Sequence, residues 1–258
     1  MKKAIIISTM LFATNLFASD LINTEESATP PSYVIMSEKE AEEKRFQGYN
    51  DEQKENFKER RRQIDAYGYY KEYSEAAVGL KEVEQRRYKG LIETADDPYY
   101  EMLRASTKGF PLNFTYAGLS SVPQDHILGY VPSGTETPDK YQSKNHLWTG
   151  VTGYFLHDTF GTCRHSVEKI GSNPTTARMY LIIKYDPNFT TYEINNKPTT
   201  KSGQGDEQSG YIYEITWTGK TYDKGLECTR KTPFDQQAIK DLIDYAKKID
   251  ADLPDPVK

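Results

Sequence analysis

Cysteine is scarce in this chain, with two residues among 258, and histidine is hardly commoner at four. So small a supply of thiolate and imidazole ligands leaves no Cys-x-x-Cys pair and no His-Glu-x-x-His run, which removes the usual zinc patterns. Also missing are Gly-x-x-x-x-Gly-Lys, which cradles phosphates, and Gly-x-Ser-x-Gly, which presents a nucleophilic serine. Positive charge is in deficit, 33 Lys and Arg against 38 Asp and Glu. A chain of that sign lacks the basic patch that nucleic acid or anionic lipid requires. Neither a nucleic-acid partner nor a cofactor is expected. Apolar residues make up only 36%, and past residue 18 no run reaches the ~20 apolar residues that span a bilayer as a helix.

What is present begins with Lys2-Lys3 followed by an apolar stretch that closes on Leu16-Phe17-Ala18. A basic start, a short apolar run and a small residue before the cut form a secretory signal peptide, so residues 1–18 are expected to be removed. Loss of Lys2 and Lys3 moves the net charge from -5 to -7 on 240 remaining residues. A periplasmic or secreted product without an integral membrane segment is the expectation. In an oxidising compartment the even cysteine count implies one disulfide, Cys163 to Cys228. Closing a loop of about 65 residues stabilises a fold by roughly 4 kcal/mol in the chain-entropy model.

Two textures divide the rest. Residues 19–36, broken by Pro30-Pro31, read as a flexible leader. Residues 37–105 read as a helical segment, since as far as Thr94 the composition is Glu, Lys, Arg, Gln and Ala, which favours helix. Ser37-Glu38-Lys39-Glu40 is a capping box, and Gly68 lies between two helical stretches of about 37–66 and 69–95. The basic run Lys58 to Arg62 sits among acids and reads as a solvated helix face.

From 106 to 258 helical periodicity gives way to alternation. Tyr211, Tyr213, Ile215 and Trp217 share one face of a strand, with Glu214 and Thr216 on the other. Arg178 to Tyr185 is apolar on both faces and reads as a central strand. Other strand candidates are 151–157, 162–169, 190–195 and 221–229, joined by turns short enough to require antiparallel pairing. Phe234 to Ile249 carries an apolar stripe at helical spacing and should close over the sheet. The fold expected is α+β: a charged helical N-terminal segment, then a disulfide-linked antiparallel sheet domain with a C-terminal helix.

Chemistry concentrates in Tyr154 to His165, which holds His157, Asp158, Cys163 and His165. The spacing His-x5-Cys-x-His fits no zinc pattern, and a disulfide would consume Cys163, so no metal is expected. The strand ends are read as pinned by that bond, with reduced thiols or metal ligation as the alternatives. A second cluster, Gly203 to Ser209, is an acidic hairpin loop. It lacks the Glu-x-Glu of secreted ADP-ribosyltransferase toxins, since Ser209 stands where the second glutamate is needed.

Two functions stay open. One is a non-enzymatic binding protein of the periplasm or extracellular space, whose partner is a protein or other envelope macromolecule held by Tyr211, Tyr213 and Trp217. The same three rings also suit a core beneath the C-terminal helix. The other is a secreted hydrolase or transferase with a site around His157, Asp158 and Glu207.

Overall fold

The computed structural model describes residues 20–23, 33–88, 112, 114–116, 118–138, 146–170 and 179–253. The expected signal peptide, residues 1–18, and the end of the expected helical segment, residues 89–105, lie outside the described residues. Strands β1 (Asp20–Asn23) and β2 (Tyr33–Ile35) precede three helices, α1 (Glu38–Arg45), α2 (Asp51–Tyr67) and α3 (Glu75–Tyr88), with the short β3 (Tyr70–Lys71) between the last two. The remaining strands are β4 (Ile127–Pro138), β5 (His146–His157), β6 (Gly161–Lys169), β7 (Met179–Tyr185), β8 (Thr191–Ile194), β9 (Lys197–Asp206), β10 (Gly210–Thr218) and β11 (Tyr222–Arg230). Helix α4 (Gln236–Asp252) follows them. The architecture is α+β.

The main sheet runs β9-β10-β11-β6-β5-β4, all antiparallel, with β3 and β8 both added to the far side of β9. Strand β3 pairs parallel, so the sheet is mixed at that edge. The segment expected to be a central strand becomes β7, which is central in a second, three-stranded sheet between β1 and β2. The acidic loop is shorter than its sequence suggests. Strand β9 continues through Asp206, and that carboxylate accepts from the Ser209 amide and hydroxyl, both at 2.7 Å.

Helix α4 covers one face of the main sheet. Its Asp235 cap accepts from the Ala238 amide at 2.8 Å, and Ala238, Ile239, Leu242, Ile243, Ala246 and Ile249 are buried on a single stripe. Beneath them lie Phe155, Cys163, Ile215, Leu226 and Cys228. The disulfide joins residues directly opposite each other on β6 and β11. On the other face α3 sets Ala77, Leu80 and Val83 against Ile212, Tyr154 and Val131.

The helical stretch is tied to the sheet at several points. Glu84 of α3 accepts from the Thr162 hydroxyl at 2.6 Å, Lys81 donates to the Ser209 carbonyl at 2.6 Å, and Arg45 of α1 binds Asp186 at 2.7 Å. Helix α2 ends at Gly68, whose φ of 84° favours glycine. A Cβ there would also lie 2.6 Å from Ile239 of α4. The Ser37 hydroxyl caps α1, but Glu40 turns away from its expected return bond toward Lys44 and Lys184. The full capping box belongs to Asn50 and Gln53 at the start of α2. The basic run is matched by its own helix and the next turn: Lys58 with Glu55, Arg60 with Glu72, Arg61 with Asp65 and Arg62 with Glu59. No helix among the described residues is long and apolar enough to cross a membrane.

Candidate functional site

The residues singled out in the sequence fall in three places. His157 ends β5 beside the β5–β6 turn, where its ring stacks on Phe160 at 4.3 Å and meets the edge of Tyr245 at 4.5 Å. Its Nδ1 accepts from the Thr159 amide at 3.2 Å. Burial lowers its pKa, against the pull of Asp158. Asp158 itself is exposed in the turn, and Glu207 is exposed in the turn between β9 and β10. These two hairpins leave the same end of the sheet, with β11 between them. At about 4.8 Å per strand their tips are separated by roughly 14 Å, so the three groups are not brought together. Among the described residues, no three His, Cys, Asp or Glu side chains are placed to hold a metal.

Tyr211, Tyr213 and Trp217 do share a face, and it is the face that α4 closes. Their exposures are 6%, 3% and 0%. Tyr211 packs edge-on against Tyr69 at 4.9 Å, Tyr213 lies 5.7 Å from Phe234, and the Trp217 indole donates to Asp250 at 2.8 Å. His165 is buried on this same face, stacked over Trp217 at 5.9 Å.

The opposite face carries the polar chemistry. Because side chains alternate, one residue in two on each strand points there. The register lines up Tyr154 of β5, Arg164 of β6, Glu227 of β11, Glu214 of β10 and Ser202 of β9 in a single row across five strands. The Arg164 guanidinium grips Glu227 twice, Nη2 donating to Oε2 at 2.9 Å and Nε lying 2.7 Å from Oε1. Glu214 accepts from the Ser202 hydroxyl at 3.4 Å through Oε2. Its Oε1 is buried and has no hydrogen-bond partner among the described residues. Burial first, and the neighbouring Glu227 second, push the Glu214 carboxyl well above the usual carboxylate range, with Arg164 acting against them. The shift favours the protonated form of Glu214 beside an arginine-bound Glu227.

The next row along the strands is small: Thr152, Ser166, Gly225, Thr216 and Thr200, with the last two threonines bonded at 2.6 Å. Beyond it stand Glu168 and Asp223. Asp223 accepts from the Thr218 hydroxyl at 2.6 Å, yet burial, with Glu168 adding to it, pushes its carboxyl up to about 7. Burial raises Glu168 as well, against the bond from Thr149. The face is thus a low strip of hydroxyls between two rows of carboxyls, with α3 at one end and the Tyr185 hydroxyl on Thr218 at the other. Such a strip can hold polar groups through hydrogen bonds, and Glu214 can give or share a proton.

Sequence reasoning placed Glu214 and Thr216 on this face without giving them a role, and passed over Arg164 inside the histidine cluster. The usable signal was a pair of glutamates at inward positions of two neighbouring, otherwise buried strands. Comparison of the chain with family models, with curated proteins and with solved structures finds no match.

Proposed function

We propose that this protein is an exported binding protein of the periplasm or extracellular space, and that it binds through the row Tyr154, Arg164, Glu227, Glu214 and Ser202. Export is supported by the basic and apolar start of the sequence and by the bond between its two cysteines, since disulfides persist in oxidising compartments. The observation that carries the site is the buried, unpartnered Oε1 of Glu214. An unpaired buried polar atom costs about 1–3 kcal/mol, and native folds tolerate that where something binds. A hydrogen-bonding group presented by an envelope macromolecule, seated over Ser166 and Thr216, would pair with Glu214 Oε1 and remove the cost.

Native mass spectrometry of the exported protein, purified without denaturation, tests this reading. The wild type should carry a bound partner that Glu214→Leu loses while its circular dichroism is unchanged. A bare wild-type mass would overturn the proposal.

A second reading, acid–base chemistry at the same row, draws on the adjacency of Glu214, whose carboxyl is pushed up, and arginine-bound Glu227. Carboxyls held in different protonation states suit hydrolysis or group transfer. Glu214→Gln separates the two functions. It keeps the hydrogen-bonding shape and removes the proton, so a binding protein retains its partner whereas an enzyme loses turnover. His157, Asp158 and Glu207, on separate hairpins, draw no comparable support.

A further inference from the structure

His165 is 2% exposed, and neither ring nitrogen has a hydrogen-bond partner among the described residues. It lies between the sheet and α4, flat against Trp217. Its cross-strand neighbours are Gly153 and Leu226, neither of which offers a side-chain acceptor. The charged groups near it are Lys224 of β11 and Asp250 and Asp252 of α4, with Lys197 of β9 behind Asp250.

The nearby carboxylates are already engaged. Asp250 Oδ1 accepts from Trp217 at 2.8 Å, Lys197 at 2.7 Å and Lys224 at 2.8 Å, and its Oδ2 accepts from Asn195 at 2.7 Å and Lys197 at 2.8 Å. Asp252 Oδ2 is bound by the Ser121 amide and hydroxyl at 2.8 and 2.5 Å. An imidazolium carries two N–H donors and needs two acceptors. Neither ring nitrogen reaches such an acceptor among the described residues, and both carboxylates of α4 already hold other partners.

We propose that His165 makes α4 an acid-sensitive latch: protonation of the imidazole beside Lys224 loosens the helix from the sheet while the Cys163–Cys228 bond keeps β6 and β11 together. A protonated ring would add a third cation to Lys224 and Lys197, opposed by Asp250 and Asp252 alone. The electrostatics agree in sign. Burial, followed by Lys224, lowers the His165 pKa to about 3 in the closed structure. The form with α4 open exposes the ring and restores its ordinary value of about 6.5. The open form therefore binds the proton better, and acid favours it. Asp250 is held at about 2 and stays ionised through the same range.

Hydrogen exchange of α4 peptides between pH 7 and pH 4.5, corrected for the intrinsic pH dependence of exchange, tests the latch. In the wild type, α4 should lose protection relative to β10 and β11 by roughly tenfold for each pH unit below about 6.5. His165→Phe keeps a ring against Trp217 and should abolish that excess loss. Equal acid loosening of α4 in the variant would overturn the proposal. If the phenylalanine variant does not fold, the imidazole signals of the wild type decide by NMR. A ring that stays neutral to below pH 5 supports the latch, and one that titrates near 6.5 with α4 still protected removes it.

Discussion

Asp250→Asn should be among the most destabilising single-atom exchanges in this protein. The side chain is 3% exposed and is shared by Lys224, itself 1% exposed, and Lys197 at 17%. Asparagine keeps the size and leaves an oxygen for the Trp217 indole, but removes the charge on which both ammonium groups rest. Breaking a buried pair from one side costs about 3–5 kcal/mol, because the remaining charge stays out of water. At roughly 2–4 °C of melting temperature per kcal/mol for a chain of this size, the expected drop is on the order of 6–20 °C. The pH dependence follows from the same contacts. Burial alone would raise the Asp250 carboxyl, but bonds from Lys197, Lys224 and Asn195 outweigh it and hold the group at about 2. Its folded value lies below its unfolded value of about 3.9, so its stabilisation is complete above that and fades as pH falls toward 2. Scanning calorimetry at pH 7 measures the loss. Lys224→Met in the Asp250→Asn background should restore much of it, since an apolar side chain leaves no stranded charge. A single Asp250→Asn variant within about 1 kcal/mol of wild type would refute the reasoning, because a half-broken buried pair cannot be that cheap.

Three further outcomes are expected. Cys228→Ala should lower stability by about 2–5 kcal/mol, and intact mass before and after reduction and alkylation should show both thiols protected in the native chain. Tyr213→Ala, at a residue 3% exposed against Phe234, should cost about 3–5 kcal/mol as a truncated core aromatic; an unchanged melting temperature with loss of a partner would instead restore that strand to a binding role. Limited proteolysis should cut before Ser37 and between Asp96 and Phe110, and the two pieces from the second cut should copurify through β3 and α3 until denatured, whereas separation without denaturant would show that those contacts hold little.

Where the sequence spoke in periods, the fold was legible. The stripe from Ala238 to Ile249 identified α4, and the alternation through Tyr211, Tyr213, Ile215 and Trp217 identified both faces of β10. Strands β4 and β9 escaped because their glycines, prolines and hydroxyls lack apolar alternation, although each pairs with strands adjacent in the chain. The two-residue β3 is too short to carry any period. The site was less legible than the fold. Arg164, Glu227 and Glu214 meet only because of a register between β6, β11 and β10 that spans 63 residues of chain, from Arg164 to Glu227. His157 and Glu207 attracted notice as reactive types in turns, and turns at two hairpins do not converge.

The most direct measurement concerns the row itself. Replacing a buried ion pair and its neighbour by well-packed apolar side chains of similar volume is often neutral or stabilising, because the cost of burying the charges can exceed their attraction. The triple variant Arg164→Met, Glu214→Leu, Glu227→Leu should therefore melt at or above the wild-type temperature. Native mass spectrometry of that folded variant should find it bare where the wild type carries its partner; a variant that folds and still carries the same partner would contradict the assignment of the row as the binding site.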